Sequence, residues 1–344
     1  MVRLHIIYSM KKVLDLSDSP VTSYPSIANI FSMKWKDKDE LIPWLSDHFI
    51  QIIIRPKHND TPADYYDHAD VDNFYREIYG MPWLSWMRVN KETAYFKKFT
   101  DYIEYQINNG YGLEPCVDRF FFRFTSSYKK DHFVHSSFIY GYDNIRRKIY
   151  IADFWDYGKY ERKEVSYREI NRSMNNNGII NLFKLQDGEY KFNPFLMKTF
   201  LEDYLNSEDS THKFDFSNKS YNEDVIFGLA YYDYVLDYCT EKKVFDIRFF
   251  HVLYDHKQIM ALRLEYLLKS NYINKTAYKS LSVKNEELIN LSLEIRNMVL
   301  KYNVSNSSVL LERIREKIPV LKKNDKAFVT SLLKAINWEL GNNK

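Results

Sequence analysis

At 344 residues, with 45% apolar and 17% aromatic side chains, the chain can hold two domains with full cores and is too apolar for a disordered segment. Lysine and arginine (49) nearly balance aspartate and glutamate (46), and no run of one sign turns the net charge of +3 into a basic stripe, which argues against a nucleic-acid partner. Two cysteines, Cys116 and Cys239, exclude a disulfide framework and a thiolate metal cluster, and no apolar run nears the roughly 18 residues that span a bilayer.

The opening MVRLHIIYSMKK has too short an apolar core for a secretory signal and no small-residue cleavage site, so a soluble cytoplasmic protein is expected. Ser23 precedes Pro25 and the stretch SIANIFSM, a helix start with its proline in the tolerated first turn. Residues 37–47 read as a second helix, 49–55 (FIQIIIR) as a strand, and the polar, aromatic 57–82 as a long loop with a helical piece. Helical spacing runs over 91–108, through Ala94, Phe96, Phe99, Ile103 and Ile107, and Gly110 ends it. A strand is expected over 113–124. Ser166-x-x-Glu169 is a capping box that opens a helix, 175–178 a turn and 179–185 a strand. From about Asn193 the pattern is purely helical. Asn193-Pro194, Ser220-x-x-Glu223 and Asp246 open helices, and two more follow near 276–302 and 307–339. The expected fold is α+β: helices then an antiparallel sheet in a domain spanning 1–190, followed by an all-α bundle spanning 191–344.

Residues 132–154 (HFVHSSFIYGYDNIRRKIYIADF) carry the most chemistry. Two short apolar runs joined by Asp143-Asn144 read as a β-hairpin, with His135 at the mouth of the first strand and Asp153 at the end of the second. Antiparallel pairing brings those positions together. A carboxylate that fixes a histidine tautomer is two-thirds of a nucleophilic triad.

Each candidate has a plainer reading. Ser23 is a nucleophile or simply an N-cap worth about 1 kcal/mol. His135 and Asp153 form a site or are satisfied residues at strand ends. Asp118, on a strand after Pro115-Cys116-Val117, is aimed into a cleft to bind substrate or is a strand-end carboxylate. His132 reads as a second substrate contact or as loop surface, and both cysteines as small core residues. His132 and His135 form H-x-x-H without a third ligand or a helix, and His251 and His256 are five apart, so no metal is expected. With nine glycines and no G-x-G-x-x-G or Walker loop, no cofactor is expected.

The order of these features resembles a known family. NGYGLEPCVDRFFFRF (109–124), YKKDHFVHSSFIYGYDNIRRKIYIADF (128–154) and FGLAYYDYVLDY…FDIRFFHVLYDHKQIMALRLEYL (227–267) are similar to the butirosin-biosynthesis protein H-like acyltransferases, which have a papain-like cysteine-peptidase fold. The resemblance implies transfer of an acyl group from an acyl-carrier or peptidyl-carrier thioester to a small-molecule amine, in specialised-metabolite biosynthesis. It also implies a nucleophilic cysteine opening the first helix, where this chain has Ser23, with Thr22 beside it; no cysteine precedes Cys116. A helix N-terminus lowers a thiol's pKa, whereas a serine hydroxyl stays protonated and depends on its base. Three functions follow: acyl transfer through Ser23, His135 and Asp153; a catalytically silent relative that binds carrier or assembly-line proteins; and a peptidase-like hydrolase, which the missing cysteine disfavours. No membrane partner is expected, and a homo-oligomer is compatible with the composition.

Overall fold

The computed structural model describes residues 10–18, 25–57, 63–65, 81–90, 96–155, 160–174, 178–210, 213 and 224–341. In chain order its elements begin with β1 (Lys11–Val13), α1 (Pro25–Lys34), α2 (Lys38–Asp47), β2 (Ile52–Ile54), β3 (Ala63–Tyr65), β4 (Leu84–Asn90) and α3 (Phe99–Asn108). Next come β5 (Gly112–Asp118), β6 (Val134–Ser136), β7 (Phe138–Asp143), β8 (Lys148–Phe154), β9 (Tyr160–Ser166), α4 (Tyr167–Ser173) and β10 (Ile179–Leu185). The remainder is α5 (Pro194–Asn206), β11 (Ile226–Phe227), α6 (Ala230–Glu241), α7 (Ile247–Lys269), α8 (Lys275–Ser305) and α9 (Ser308–Ala335). The chain is thus mixed α and β with a helical C-terminal stretch, and it separates into two compact units: Met1–Lys38 with Met81–Glu189, and Asp39–Gly80 with Tyr190–Lys344.

The first unit is built on an eight-stranded sheet of order β4-β10-β5-β7-β8-β9, with β1 beside β7 and β6 beside β5, all pairs antiparallel. Alternation along the strands sends Leu113, Val117, Ile149, Ile151, Ile180 and Leu182 to one face, where they pack with Ile103 and Ile107 of α3 and Ile170 of α4. The hairpin 138–154 forms as its sequence predicts, its turn held by Asp143 Oδ1 accepting from the Arg146 amide at 2.9 Å. Gly141 lets β1 close on β7, since a Cβ there would lie 2.8 Å from the Lys12 carbonyl. Gly110, at φ +84°, ends α3, and the Ser166/Glu169 capping box opens α4.

Several expectations are corrected. The strand expected over 113–124 stops at Asp118, whose carboxylate accepts from the Phe120 amide and starts a 3₁₀ turn, Arg119–Phe121. The helix expected from 91 begins at Phe99, and β4 and β1 form where no strand was expected. Part of 57–82 pairs as β3, while its expected helical piece, most of the 175–178 turn and the Ser220/Glu223 capping box lie outside the described residues.

In the second unit, Asn193, Asp246 and Asn274 cap α5, α7 and α8 through their side-chain oxygens. The stretch after 191 is not all-α: β11 joins β2 and β3 in a three-stranded antiparallel sheet, and two residues are too few to leave a period in the sequence. The expected continuous 1–190 domain differs from the observed units over Asp39–Gly80. Buried groups on α7 account for this. Arg263 donates to the carbonyls of Ser46 (2.8 Å) and His48 (2.7 Å), satisfying the C-terminal end of α2, and His256 Nε2 donates to the Ile50 carbonyl at 2.9 Å. No helix among the described residues is long and apolar enough to cross a membrane.

Candidate active site

β6 lies along the C-terminal half of β5, with His135 opposite Val117, so its ring points to the sheet face that carries Val117. Asp153 alternates with Ile149 and Ile151 on β8 and lies on that same face. The two meet: His135 Nδ1 is 3.2 Å from Asp153 Oδ2. Asp153 is buried while the His135 side chain keeps 32% of its exposure, an arrangement of a sequestered orienter beneath an accessible ring.

The pair has further partners that the sequence reading missed. Arg119, at the start of the 3₁₀ turn, sends Nη2 to Asp153 Oδ2 (2.7 Å), to the Phe154 carbonyl (2.7 Å) and to within 3.1 Å of His135 Nδ1. Its guanidinium lies 5.2 Å from the Phe133 ring centre and 5.1 Å from that of Trp155. Ser137 Oγ also donates to Asp153 Oδ2, and the Phe154 amide donates to Oδ1 at 2.7 Å. The only hints in the sequence were an arginine directly after Asp118 and a serine pair after His135.

Counting hydrogens assigns the tautomer. Nη2 carries two, and the Asp153 and Phe154 oxygens take both. His135 Nδ1 faces two acceptors, the Ser136 carbonyl at 2.7 Å and Asp153 Oδ2, so it carries a ring proton, and in the neutral ring the lone pair is then on Nε2. That is the form in which an imidazole acts as a general base.

Asp118 and His132 are also brought together, but with each other. His132 Nδ1 is 2.5 Å from Asp118 Oδ2, and its exposed ring stacks on Phe120 with centroids 4.2 Å apart. Asp118 Oδ1 accepts from the Phe120 and Phe133 amides, a local structural role that orders the turn. By strand alternation Asp118 points to the other side of β5 from Val117. Cys116 is half-buried with Sγ 3.7 Å from Ser136 Oγ, and Cys239 is buried, its thiol pushed up to about 12 by desolvation.

Ser23 lies outside the described residues. The helix it precedes does not. α1 packs over β8 and β10, and Asn29 in its first half accepts a hydrogen bond from Tyr160 at 2.5 Å. Tyr160 is the register partner of Phe154, the residue after Asp153. The amino-terminal half of α1 therefore lies at the end of the sheet where Asp153 sits, on the face opposite to the α3 core. Burial, together with the nearby Asp153 and Glu114 charges, holds the Tyr160 phenol above its usual range, so it is a neutral donor.

A comparison with protein-family models finds no match, and no curated protein matches the chain.

Proposed function

We propose that the first unit is a papain-like acyl-transfer domain of the butirosin protein H-like kind, with Ser23 in place of the usual cysteine. Its donor is an acyl group held as a thioester on a carrier protein, and its acceptor is a small-molecule amine. The Ser23 hydroxyl attacks the thioester carbonyl and its proton passes to His135 Nε2. The carrier thiolate leaves with that proton, and an amine then attacks the Ser23 ester, returning a proton by the same route. Asp153 orients the ring throughout. The observation that carries this reading is the His135–Asp153 contact of 3.2 Å at Nδ1, which turns Nε2 away from the carboxylate. α1 approaches the same sheet end from the other face, through the hydrogen bond of Tyr160 to Asn29.

Incubation with an acyl-loaded carrier protein should leave an ester on the peptide containing Ser23, read by mass spectrometry. Ser23→Ala should abolish the adduct and His135→Ala should slow its formation by a factor on the order of 10² to 10⁴. A parent protein that never acylates, with the fold intact, overturns the catalytic reading.

A second reading, a silent relative that binds carrier proteins, is favoured by one observation: Asp153 Oδ2 already accepts from Arg119 and Ser137. A carboxylate so engaged has less to give an imidazolium. Carrier-protein binding without acyl transfer, measured by calorimetry on the parent, is the outcome that selects it.

A further inference from the structure

Asp153 would ordinarily stabilise a charged imidazole next to it. In a cysteine-based site that is useful, because the resting form of such a site pairs a thiolate with an imidazolium. A hydroxyl nucleophile reverses the requirement. Serine stays protonated, so its histidine must begin neutral in order to accept the proton. A cation held against the aspartate weakens its pull on the ring proton and so favours the neutral imidazole at rest.

Arg119 is built to do that. It is buried, it meets Asp153 at 2.7 Å, and Nη2 comes within 3.1 Å of His135 Nδ1, close enough for its charge to bear on the ring directly. Two aromatic rings and the Phe154 carbonyl hold it there. Its Nε has no acceptor, so the guanidinium is seated by the carboxylate, the Phe154 carbonyl and stacking, not by a full set of hydrogen bonds. The other charged groups at this rim are already paired: Glu161, the register partner of Asp153, with Lys163 at 2.6 Å, and Asp118 with His132. Among the described residues, Arg119 and Asp153 are thus the charges that act on His135 at close range.

We infer that Arg119 is a positioning residue that cancels the Asp153 carboxylate and so keeps His135 in its neutral, Nδ1-protonated form, the form a hydroxyl nucleophile requires. This rests on the acyl-transfer reading for its purpose, but its test needs no substrate, so the two can fail separately.

The test is long-range ¹H–¹⁵N spectroscopy of the histidine rings in the full chain, with His135→Asn to assign the signal. At a fixed pH near neutrality, Arg119→Gln should raise the imidazolium-to-imidazole ratio of His135 at least about tenfold, because a tenfold change needs only part of the interaction between charges at this separation. Arg119→Lys, which keeps the charge, should stay within about threefold of the parent. Arg119→Met keeps an unbranched stem between Phe133 and Trp155 and serves as a second neutral variant if the glutamine variant does not fold. Asp153→Asn should move the ratio the other way. An unchanged ratio in the folded neutral variant, or a parent ring whose proton sits on Nε2, overturns the inference whatever the protein does with an acyl donor.

Discussion

Arg119 donates to Asp153 across 2.7 Å with both side chains buried, directly beneath the half-exposed ring of His135. A buried pair of this kind contributes little over a well-packed apolar pair, yet removing one partner strands the other charge. Asp153→Ala should therefore cost about 3–5 kcal/mol in urea unfolding, whereas the double variant Arg119→Met, Asp153→Leu should cost clearly less than the sum of the single changes. Additive losses would mean that the two side chains are not coupled as their geometry implies.

The hairpin carrying Asp153 was legible because its information is local: two apolar runs and a turn dipeptide, with His135 just ahead of it, on β6. The caps at Ser166, Asn193 and Asp246 were legible for the same reason, a side-chain oxygen acting on an amide two or three residues away. Arg119 was not, because nothing nearby in sequence distinguishes an arginine aimed at a carboxylate 34 positions later. Nor was the membership of 39–80 in the second unit, which depends on Arg263 and His256 reaching back more than 200 positions. The strand pattern that suggested a cleft for Asp118 did not show that its Oδ1 accepts from the backbone amides of Phe120 and Phe133.

His256 should give the protein a measurable acid sensitivity. It is buried between the Ile50 carbonyl (2.9 Å) and Lys257 Nζ (2.8 Å). Burial first, then the Lys257 and Arg263 cations, hold it well below its usual 6.5. The folded protein keeps it neutral while the unfolded chain takes up a proton below about pH 6.5, so the unfolded state binds more protons and stability falls as pH falls. Its share is a slope of about 1.4 kcal/mol per pH unit below that point. Urea unfolding at pH 7.5, 6.0 and 5.0 should show the parent losing stability faster than His256→Gln, which starts lower but lacks this titration. Parallel lines for the two proteins would assign the acid loss elsewhere.

Arg263 closes the C-terminal end of α2 by donating to the Ser46 and His48 carbonyls from within α7. Arg263→Met keeps much of the volume but removes the donor to those two carbonyls, at about 1–3 kcal/mol for each group. A loss of about 2–6 kcal/mol in unfolding free energy is not the sharpest sign of this contact, because many core changes cost as much. Hydrogen exchange is more specific: amides of β2 should exchange faster in Arg263→Met while those of the eight-stranded sheet keep their protection. Equal acceleration in both sheets would show that Arg263 does not act locally.

Tyr160 links α1 to the sheet end that bears Asp153, through a hydrogen bond of 2.5 Å to the buried Asn29. Tyr160→Phe removes the hydroxyl, leaves Asn29 Oδ1 without that donor, and should cost about 1–2 kcal/mol in urea unfolding. The ring and its contact with Phe154 stay, so the strand pairing of β8 and β9 should survive. If α1 carries the nucleophile to His135, the same change loosens the placement of Ser23, and small displacements of a reacting group are expensive in rate. Acylation of Ser23 should then slow by about tenfold or more, with carrier-protein affinity unchanged. A variant that loses stability as expected but acylates at the parent rate would separate α1 anchoring from the chemistry and leave Tyr160 a structural residue alone.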